Sequence, residues 1–470
     1  MSGFFTVGEQ KIRPGVYKRY ENAGLETARA EEGIAAAVVC SNWGPLNTAM
    51  AIDGSTDMSA VIGTGNGAAV VQEILNGGAP EVILSRVGSG GEKGTMSLQD
   101  SSDTGTVVIR METKYPSDRE FSLSVKPELD DPTVKTATLY EETKELETRS
   151  FMADDGQSEI DAFVEAFATS QYITVAKVAN GNGEIGSVVQ VAFKAGKNPS
   201  VKANDYGNAL AAIESEEWNI LCVDSNATEV HSIVFAFINR IYIDGNNVMA
   251  VIGEGSGVDM DTRITRATSY NDEKMVYVLN GFIGTDGTVY QGYLAAARVC
   301  GMIAACPASQ SLTHRVISGA TTLSEAMTTS QIKKAIKAGC FLFSVSRNRQ
   351  VQVEYAINTL VTLSATQDSG WKKIRRVKTR FELIDRIEKT IEPMIGQVNN
   401  DTNGRATIIA AAQRICDAMI GEHKLIAASV VLDSSNPPEG DSAWFNIAVD
   451  DVDSLEKMYL TFRFRFSQNS

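Results

Sequence analysis

The most restrictive feature of this sequence is an alternation of residue types close to its C-terminus. Within "DVDSLEKMYLTFRFRFSQNS", every second residue from Met458 to Phe466 is apolar, and the residues between them are Tyr, Thr and Arg. The apolar set comprises Met458, Leu460, Phe462, Phe464 and Phe466. Such alternation is typical of a β-strand with one buried face, so we predict a strand over Met458–Phe466. A strand at a chain end presents unpaired backbone groups, which raises the question of what it pairs with.

Two parts of the chain have the pattern of an α/β domain. Apolar runs at Ile34–Cys40 and Glu81–Val87 predict buried strands, and Gly67–Gly78 between them has helical spacing and a glycine stop. Strand, helix and strand in this order predict a βαβ unit. Residues 201–345 return to the same pattern of buried strands and helices. We therefore assign residues 21–95 and 201–345 to one split α/β core domain.

The remaining segments have other patterns. Residues 96–200 are β-rich, polar at alternate positions and interrupted by prolines, which predicts an inserted antiparallel β domain with one helix at Ser158–Ser170. Residues 346–470 predict an α+β C-terminal domain, and residues 1–20 predict a linking arm. The expected fold class is a multidomain α/β and α+β protein, in which the insertion splits the α/β core.

The net charge of −15 and its placement restrict the function. Residues 346–470 are neutral overall, so the acidity belongs to the rest of the chain. An acidic surface repels nucleic acid, so we expect no nucleic-acid partner. No apolar run reaches the length of a membrane span, and the N-terminus lacks the basic start and apolar core of a signal peptide. We therefore expect a chain that stays in the cytoplasm where it is made.

Glycine-rich loops give weak signals for a nucleotide site. Gly63, Gly65 and Ala68 match the glycine pattern of a dinucleotide-binding loop. The preceding strand is short, however, and no clear ribose-binding acid follows at the expected distance. A second glycine loop at Val251–Asp261 is of the kind that any open α/β sheet produces. These loops leave one alternative open, a cytosolic Rossmann-like nucleotide-binding enzyme.

Candidate catalytic and metal-ligating residues are sparse. The three histidines are His231, His314 and His423, and no nucleophile-elbow motif accompanies them. We expect His231 on a helix surface and His423 in a turn. The six cysteines each lie in apolar runs, which predicts buried free thiols and not zinc ligands. No catalytic residue, cofactor or metal is expected.

One dense basic run stands out in the C-terminal part. In "GWKKIRRVKTRFELIDRIEKTIEP", apolar residues recur at spacings of three and four, which predicts an amphipathic helix over residues 371–392. Basic side chains come first and acidic ones later, an order that opposes the helix dipole. Two interpretations remain open: a solvated helix face, or a surface for an acidic protein partner.

Four stretches together resemble a known family. "RPGVYKRYENAG" and "GIAAAVVCSNWGPLN" resemble the start of contractile tail sheath proteins of bacteriophages and phage tail-like particles. "GYLAAARVCGMIAACPASQSLTHRVISGA" resembles their small-residue helix and proline loop, and "WKKIRRVKTRFELIDRIEKTIEP" resembles a helix of their C-terminal domain. The resemblance points to sheaths of Gram-positive phages and their defective, bacteriocin-like relatives.

The resemblance implies a non-enzymatic structural subunit. Such a subunit polymerises helically around a tail tube and contracts to drive the tube through a bacterial cell envelope. The implied partners are further copies of the chain, the tail tube protein, and baseplate and tail terminator proteins. The implied location is a virion or tail-like particle that assembles in the bacterial host cytoplasm.

The resemblance also implies roles for the chain ends. In sheaths the N-terminal arm and the C-terminal strand reach into neighbouring subunits and complete a sheet there by strand addition. The residues implied in this exchange are Phe4, Phe5, Val7, Met458, Leu460, Phe462, Phe464 and Phe466. The basic residues expected near the tube or in an intersubunit salt bridge are Lys372, Lys373, Arg375 and Arg376.

Overall fold

The computed structural model describes residues 2–4, 16–18, 33–154 and 156–464, with the first two segments described by their backbone alone. Residues 1–32 form a unit of their own. Within it, strand β1 (Ser2–Phe4) pairs in parallel with strand β2 (Val16–Lys18). The predicted anchor Phe4 lies in β1, whereas Phe5 and Val7 lie outside the described residues.

The predicted βαβ unit begins the second unit. Its elements are β3 (Ala35–Val39), β4 (Ala49–Asp53), α1 (Met58–Val61), α2 (Asn66–Gly77) and β5 (Glu81–Arg86). Strands β3 and β5 pair in parallel on either side of α2 in the chain, which confirms the prediction. Strand β4 adds an antiparallel edge to β5. Every residue of β3 is buried, as expected of a parallel strand covered on both faces.

An antiparallel β-sandwich follows. Its elements are β6 (Thr95–Gln99), β7 (Val107–Thr113), β8 (Phe121–Pro127), β9 (Val134–Glu141), β10 (Lys144–Met152), α3 (Glu159–Ala166), β11 (Ile173–Lys177) and β12 (Val188–Ala192). One sheet has the order β10-β9-β8-β12 and the other β11-β7-β6. Alternate residues of β6 and of most of β7 are buried, which explains the polar alternation of these two strands in the sequence.

Two buried side chains join the sandwich to the central sheet. Trp43 follows β3 in the chain, yet its ring packs in the sandwich core, with its centroid 5.3 Å from that of Tyr115 and 5.5 Å from that of Phe121. Arg86, at the end of β5, is fully buried and donates to the carbonyl oxygens of Gly44 (2.7 Å) and Pro116 (3.0 Å). These contacts tie the insertion to the sheet that carries it.

The chain then completes the central sheet. The elements are α4 (Asp205–Ala212), β13 (Ile220–Val223), α5 (Thr228–Ile243), β14 (Met249–Gly253), α6 (Met260–Tyr270), β15 (Met275–Val278), β16 (Phe282–Gly284), β17 (Val289–Tyr290), α7 (Tyr293–Ala305), β18 (Ala320–Leu323), α8 (Thr329–Lys337), β19 (Cys340–Val345) and β20 (Val351–Tyr355). The eight-stranded order is β20-β19-β15-β14-β13-β3-β5-β4. Helices α2 and α7 cover one face, and α4, α5, α6 and α8 cover the other.

Small residues let α2 and α7 pack closely. A side-chain carbon on Gly301 would lie 1.9 Å from the carbonyl oxygen of Ile74, and one on Gly77 would lie 2.5 Å from that of Arg298. Neither position accommodates a larger residue. The small-residue helix that the family resemblance implies is thus α7, and it packs closely against α2.

The C-terminal elements are two helices and a hairpin. They are α9 (Ile374–Ile391), α10 (Thr402–Gly421), β21 (Leu425–Leu432) and β22 (Phe445–Asp451). Helix α9 packs Val377 and Phe381 into the core of the central sheet, and Leu383 and Ile387 into a smaller core with α10 and β21. The partly buried ammonium of Lys378 donates to the carbonyl oxygens of residues 303 and 306 at the end of α7, and desolvation of the charge lowers the pKa of Lys378 to about 8.

The apolar run Val276–Ile283 forms two strands, β15 and β16, because the Asn280 side chain bonds both backbone groups of Phe343 and so takes the place of strand pairing. One predicted boundary needs correction. The predicted domain boundary between residues 345 and 346 falls between β19 and β20, which pair with each other. The central sheet therefore continues past that boundary.

Candidate functional site

The C-terminal tail, residues 452–464 as described, leaves the body of the subunit. The structure assigns no helix or strand to it, and the end of the predicted strand, Phe466, lies outside the described residues. Met458, Leu460 and Phe462 are exposed, and Phe464 is 83% exposed. The rings of Phe462 and Phe464 stack with centroids 6.5 Å apart, so these two members of the apolar set lie side by side. The buried face that the alternation predicts has no cover within the described part of the subunit.

The predicted basic residues hold the root of this tail. Lys373 Nζ lies 2.6 Å from Asp453 Oδ2 and 2.8 Å from Glu456 Oε2. Arg376 Nε donates to Asp451 Oδ2 at 2.6 Å. The acidic groups that complement the basic start of α9 therefore come from the end of β22 and from the tail, which explains an order of charges that opposes the helix dipole.

The other two predicted basic residues also have partners in the same subunit. Arg375 donates to Ser454 Oγ at 2.7 Å and to the carbonyl oxygen of Ala308 at 3.3 Å. Lys372 donates to the carbonyl oxygen of Val361 at 2.7 Å. Neither open interpretation of the basic run, a solvated face or a surface for another protein, predicted that these side chains bind groups of their own subunit. A contact of these side chains with a tube or with another subunit stays a prediction.

The contacts of Lys373, Arg375 and Arg376 with residues 451–456 form the anchor of the tail. Sequence reasoning missed Glu456, which lies at the centre of this anchor. Its side chain is 8% exposed, and its Oε1 accepts from Ser311 Oγ (2.7 Å) and Thr313 Oγ1 (2.8 Å). Ser311 and Thr313 belong to the proline loop that follows α7. The only sequence signal was a short acidic stretch just before the alternating segment.

The anchor is electrostatically matched. Burial disfavours the charged form of Lys373, but its carboxylate partners Asp453 and Glu456 outweigh that cost, so the pKa of Lys373 is raised. Burial likewise disfavours the charged form of Asp453, but the hydrogen bond from Lys373 outweighs it and lowers the pKa of Asp453. Both shifts favour the ionised pair at neutral pH.

A groove of about 580 Å³, lined in part by Tyr355, Ile357 and Leu455, lies beside the anchor.

Strands β21 and β22 form a two-stranded sheet in the part of the chain that the structure describes. Val430 of β21 is buried against α10 and lies opposite Ile447 of β22. On β22, Ile447 and Val449 point to this same face, yet each remains 38% exposed. Within the described residues β22 pairs with β21 alone, so its outer edge is open to another strand.

The glycine loop does not have the form of a phosphate site. A short helix, α1, and not a parallel strand, precedes Gly63 and Gly65. The Asn42 side chain fills the loop, because its Oδ1 accepts from the backbone N–H of Thr64 at 2.8 Å. At the carboxyl edge of the sheet, Asp224 accepts from Tyr206 Oη (2.6 Å) and from the backbone N–H of Cys40 (2.7 Å), and burial raises the pKa of Asp224. The Asn42 side chain thus occupies the glycine loop, and Asp224 with its two hydrogen-bond donors occupies the carboxyl edge of the sheet.

The histidine predictions had mixed outcomes. His231 is fully buried and its Nε2 lies 2.8 Å from the carbonyl oxygen of Ser225, so the expectation of a surface position was wrong. The helix that carries it is covered on that face by the central sheet. His423 lies in the turn between α10 and β21, as predicted. Among the described residues, no group of His, Cys, Asp and Glu could hold a metal ion, and no helix is long and apolar enough to span a membrane.

Comparisons with known proteins point in one direction. A family model described as the phage tail sheath protein beta-sandwich domain matches residues 89–198, and one described as the phage tail sheath protein central domain matches residues 200–359. The phage-like element PBSX protein XkdK of Bacillus subtilis (strain 168) is 23% identical over 411 residues, which cover 84% of this chain and 82% of that protein.

Solved structures share the fold. The sheath tail protein from Desulfitobacterium hafniense superposes with a TM-score of 0.69 at 18% identity, covering 93% of this chain and 100% of that one. The helical sheath of the anti-feeding prophage in its contracted state superposes with a TM-score of 0.55 at 11% identity, covering 97% of this chain and 99% of that one.

Proposed function

The chain belongs to the phage tail sheath protein family and is a structural subunit of a tail sheath, and we propose that its C-terminal tail links each subunit to the next. In this proposal the tail of one copy adds as a strand to the open edge of β22 in another copy. A contact between different surfaces of identical subunits does not close on itself unless the rotation forms a ring, so it generates a helix of subunits.

One observation carries the proposal: the tail is held firmly at its root and exposed beyond it. Asp451, Asp453 and Glu456 fix the start of the tail, while its apolar side chains have no cover in the subunit. The half-exposed Ile447 and Val449 offer a matching apolar face beside an open strand edge. Adding the tail there would bury apolar area on both partners, at about 25 cal/mol per Å².

The anchor then has a mechanical role. A subunit that moves while its tail remains paired with a neighbour pulls on residue 457 and beyond. The ion pairs of Lys373 and Arg376 transmit this pull to α9, which packs into the core of the central sheet. Copies can therefore shift against one another without losing their links.

The wider function follows from the family. Copies polymerise helically around a tail tube, in contact with baseplate and tail terminator proteins, and contract to drive the tube through a bacterial envelope. Assembly takes place in the host cytoplasm, with no nucleic acid and no catalysis by the sheath. The N-terminal arm, with Phe4, Phe5 and Val7, makes a second link of the same kind. The filled glycine loop offers no support for the nucleotide-binding alternative.

Deleting residues 458–470 tests the link. The anchor ends at Glu456, so the truncated subunit keeps its fold and should show an unchanged unfolding transition. Electron microscopy of the purified full-length chain should show long tubes, and that of the truncated chain only dispersed subunits. Tubes of unchanged length and number from the truncated chain would refute the proposal.

A further inference from the structure

Apolar matching alone leaves the register of the exchanged strand undecided. The apolar residues of the tail recur at every second position, and so do Ile447 and Val449 on β22. A slip by one residue turns the wrong face inward, but a slip by two preserves the apolar match. Something other than hydrophobic burial must select one register, because a helical lattice requires the same link at every step.

Each partner carries a charge on its other face. Among the residues of β22, Asp450 is the only charged one that points away from α10. On the tail, Arg463 lies on the face opposite to the phenylalanines. Within the described part of the chain, neither Asp450 nor Arg463 has an ion-pair partner, whereas the neighbouring Asp451 is bonded to Arg376. A strand added to β22 brings these two free charges onto the same face.

We infer that Arg463 of one subunit pairs with Asp450 of the next and thereby sets the register of the exchanged strand. This inference rests on the strand exchange proposed above. Opposite charges directly across two strands stabilise that register, and like charges destabilise it.

The register that pairs these charges also satisfies the apolar face when the added strand runs antiparallel to β22. Phe464 and Phe466 then fall opposite Val449 and Ile447. An antiparallel slip that places Arg465 opposite Asp450 instead sets Gln468 against Ile447, which is unfavourable for a face that buries apolar area. A slip in the other sense sets Thr461 opposite Asp450 and leaves the carboxylate unpaired.

Charge reversal and charge exchange test the pair. The variants are Asp450→Arg, Arg463→Glu, and the two combined, and the measurement is the critical concentration for assembly by light scattering. Each single reversal should raise that concentration about tenfold, because it opposes like charges across the strands. The critical concentration of the combined variant should be close to that of the unmodified protein, because the pair is restored with its signs exchanged.

A matched control is Asp450→Arg combined with Arg465→Glu, which should not restore assembly. If this control restored it and the Arg463 combination did not, the assigned register would be wrong. If neither single reversal changed the critical concentration, the pair would be wrong. In that second case the deletion of residues 458–470 separates the two hypotheses. If the deletion abolishes the tubes, the strand exchange is retained and only the charge pair is wrong. If the tubes are unchanged, both the strand exchange and the charge pair are wrong.

Discussion

Lys373 and Glu456 form an ion pair of 2.8 Å that joins the residue preceding α9 to the root of the C-terminal tail. Both side chains are largely shielded from solvent, so the pair is weakened little by salt. The same carboxyl group also accepts from two hydroxyls of the proline loop. Three segments distant in sequence therefore meet at one residue, immediately before the chain leaves the subunit.

Glu456→Gln removes the charge of this anchor while keeping its shape. We expect a loss of about 1–3 kcal/mol in the free energy of unfolding, because Lys373 and both hydroxyls then face a weaker acceptor. Urea denaturation measures the loss. The matched control is Glu92→Gln in the exposed pair with Lys197, which should change stability by less than about 1 kcal/mol. Equal effects of the two substitutions would show that Glu456 is not an anchor.

The anchor has a predictable pH dependence. The pKa of Asp453 is lowered, so its stabilisation is present above the ordinary carboxyl pKa of about 4 and is lost as pH falls through the lowered value. The pKa of Lys373 is raised, so its stabilisation is lost only when pH rises through a value above about 10.4. Asp453→Asn should therefore lower stability between about pH 5 and pH 9. Urea denaturation in acid should find the gap from the unmodified chain closing below about pH 4, and a gap that persists there would contradict this assignment.

Trp43 is the main apolar link between the central sheet and the sandwich. Trp43→Ala should cost about 3–5 kcal/mol, because it leaves a cavity among Tyr115, Phe121 and Tyr172. Trp444→Ala is the control, since Trp444 is 43% exposed, and it should cost less than about 1 kcal/mol. Thermal unfolding of both variants checks the difference. A small effect at Trp43 would mean that the sandwich is held by other contacts.

The apolar face beside the open edge of β22 should matter for assembly and little for folding. Ile447→Lys places a charge where the neighbour's tail is proposed to lie, so tube formation should fall sharply in electron micrographs. Ile426→Lys is the control on β21, where the side chain is already 66% exposed. Both variants should retain the circular dichroism of the unmodified subunit. Equal tube formation by the two variants would place the tail elsewhere.

Local patterns predicted most of the fold. The alternation of buried strands and helices gave the βαβ unit and the helix now seen at Asn66–Gly77, because these features depend on short-range periodicity. The fold class of a split α/β core with an inserted antiparallel β domain is confirmed. The split of the strand at Asn280 could not be foreseen, because it depends on a side chain that reaches residue 343.

The candidate site was predicted only in part. The basic run and the alternating tail were both visible in the sequence, but their contact was not, since Arg376 and Asp451 lie far apart in the chain. Propensity does not reveal which distant carboxylate a lysine meets. Burial of His231 was missed for a similar reason: its helix is amphipathic, but the sequence does not tell which face the sheet covers. The exchange of strands and the tube contacts stay predictions.

A mixed cross-linking measurement tests most directly whether the tail pairs with another copy. One variant carries Ala448→Cys in β22 and the other carries Arg465→Cys in the tail, both with the partly exposed Cys40 replaced by Ser. After co-assembly and treatment with a short bifunctional maleimide, we predict a covalent dimer that contains one chain of each variant. A third variant carries both cysteines in one chain. If this variant formed a link within its own chain and the mixed tubes gave no covalent dimer, the account would be contradicted.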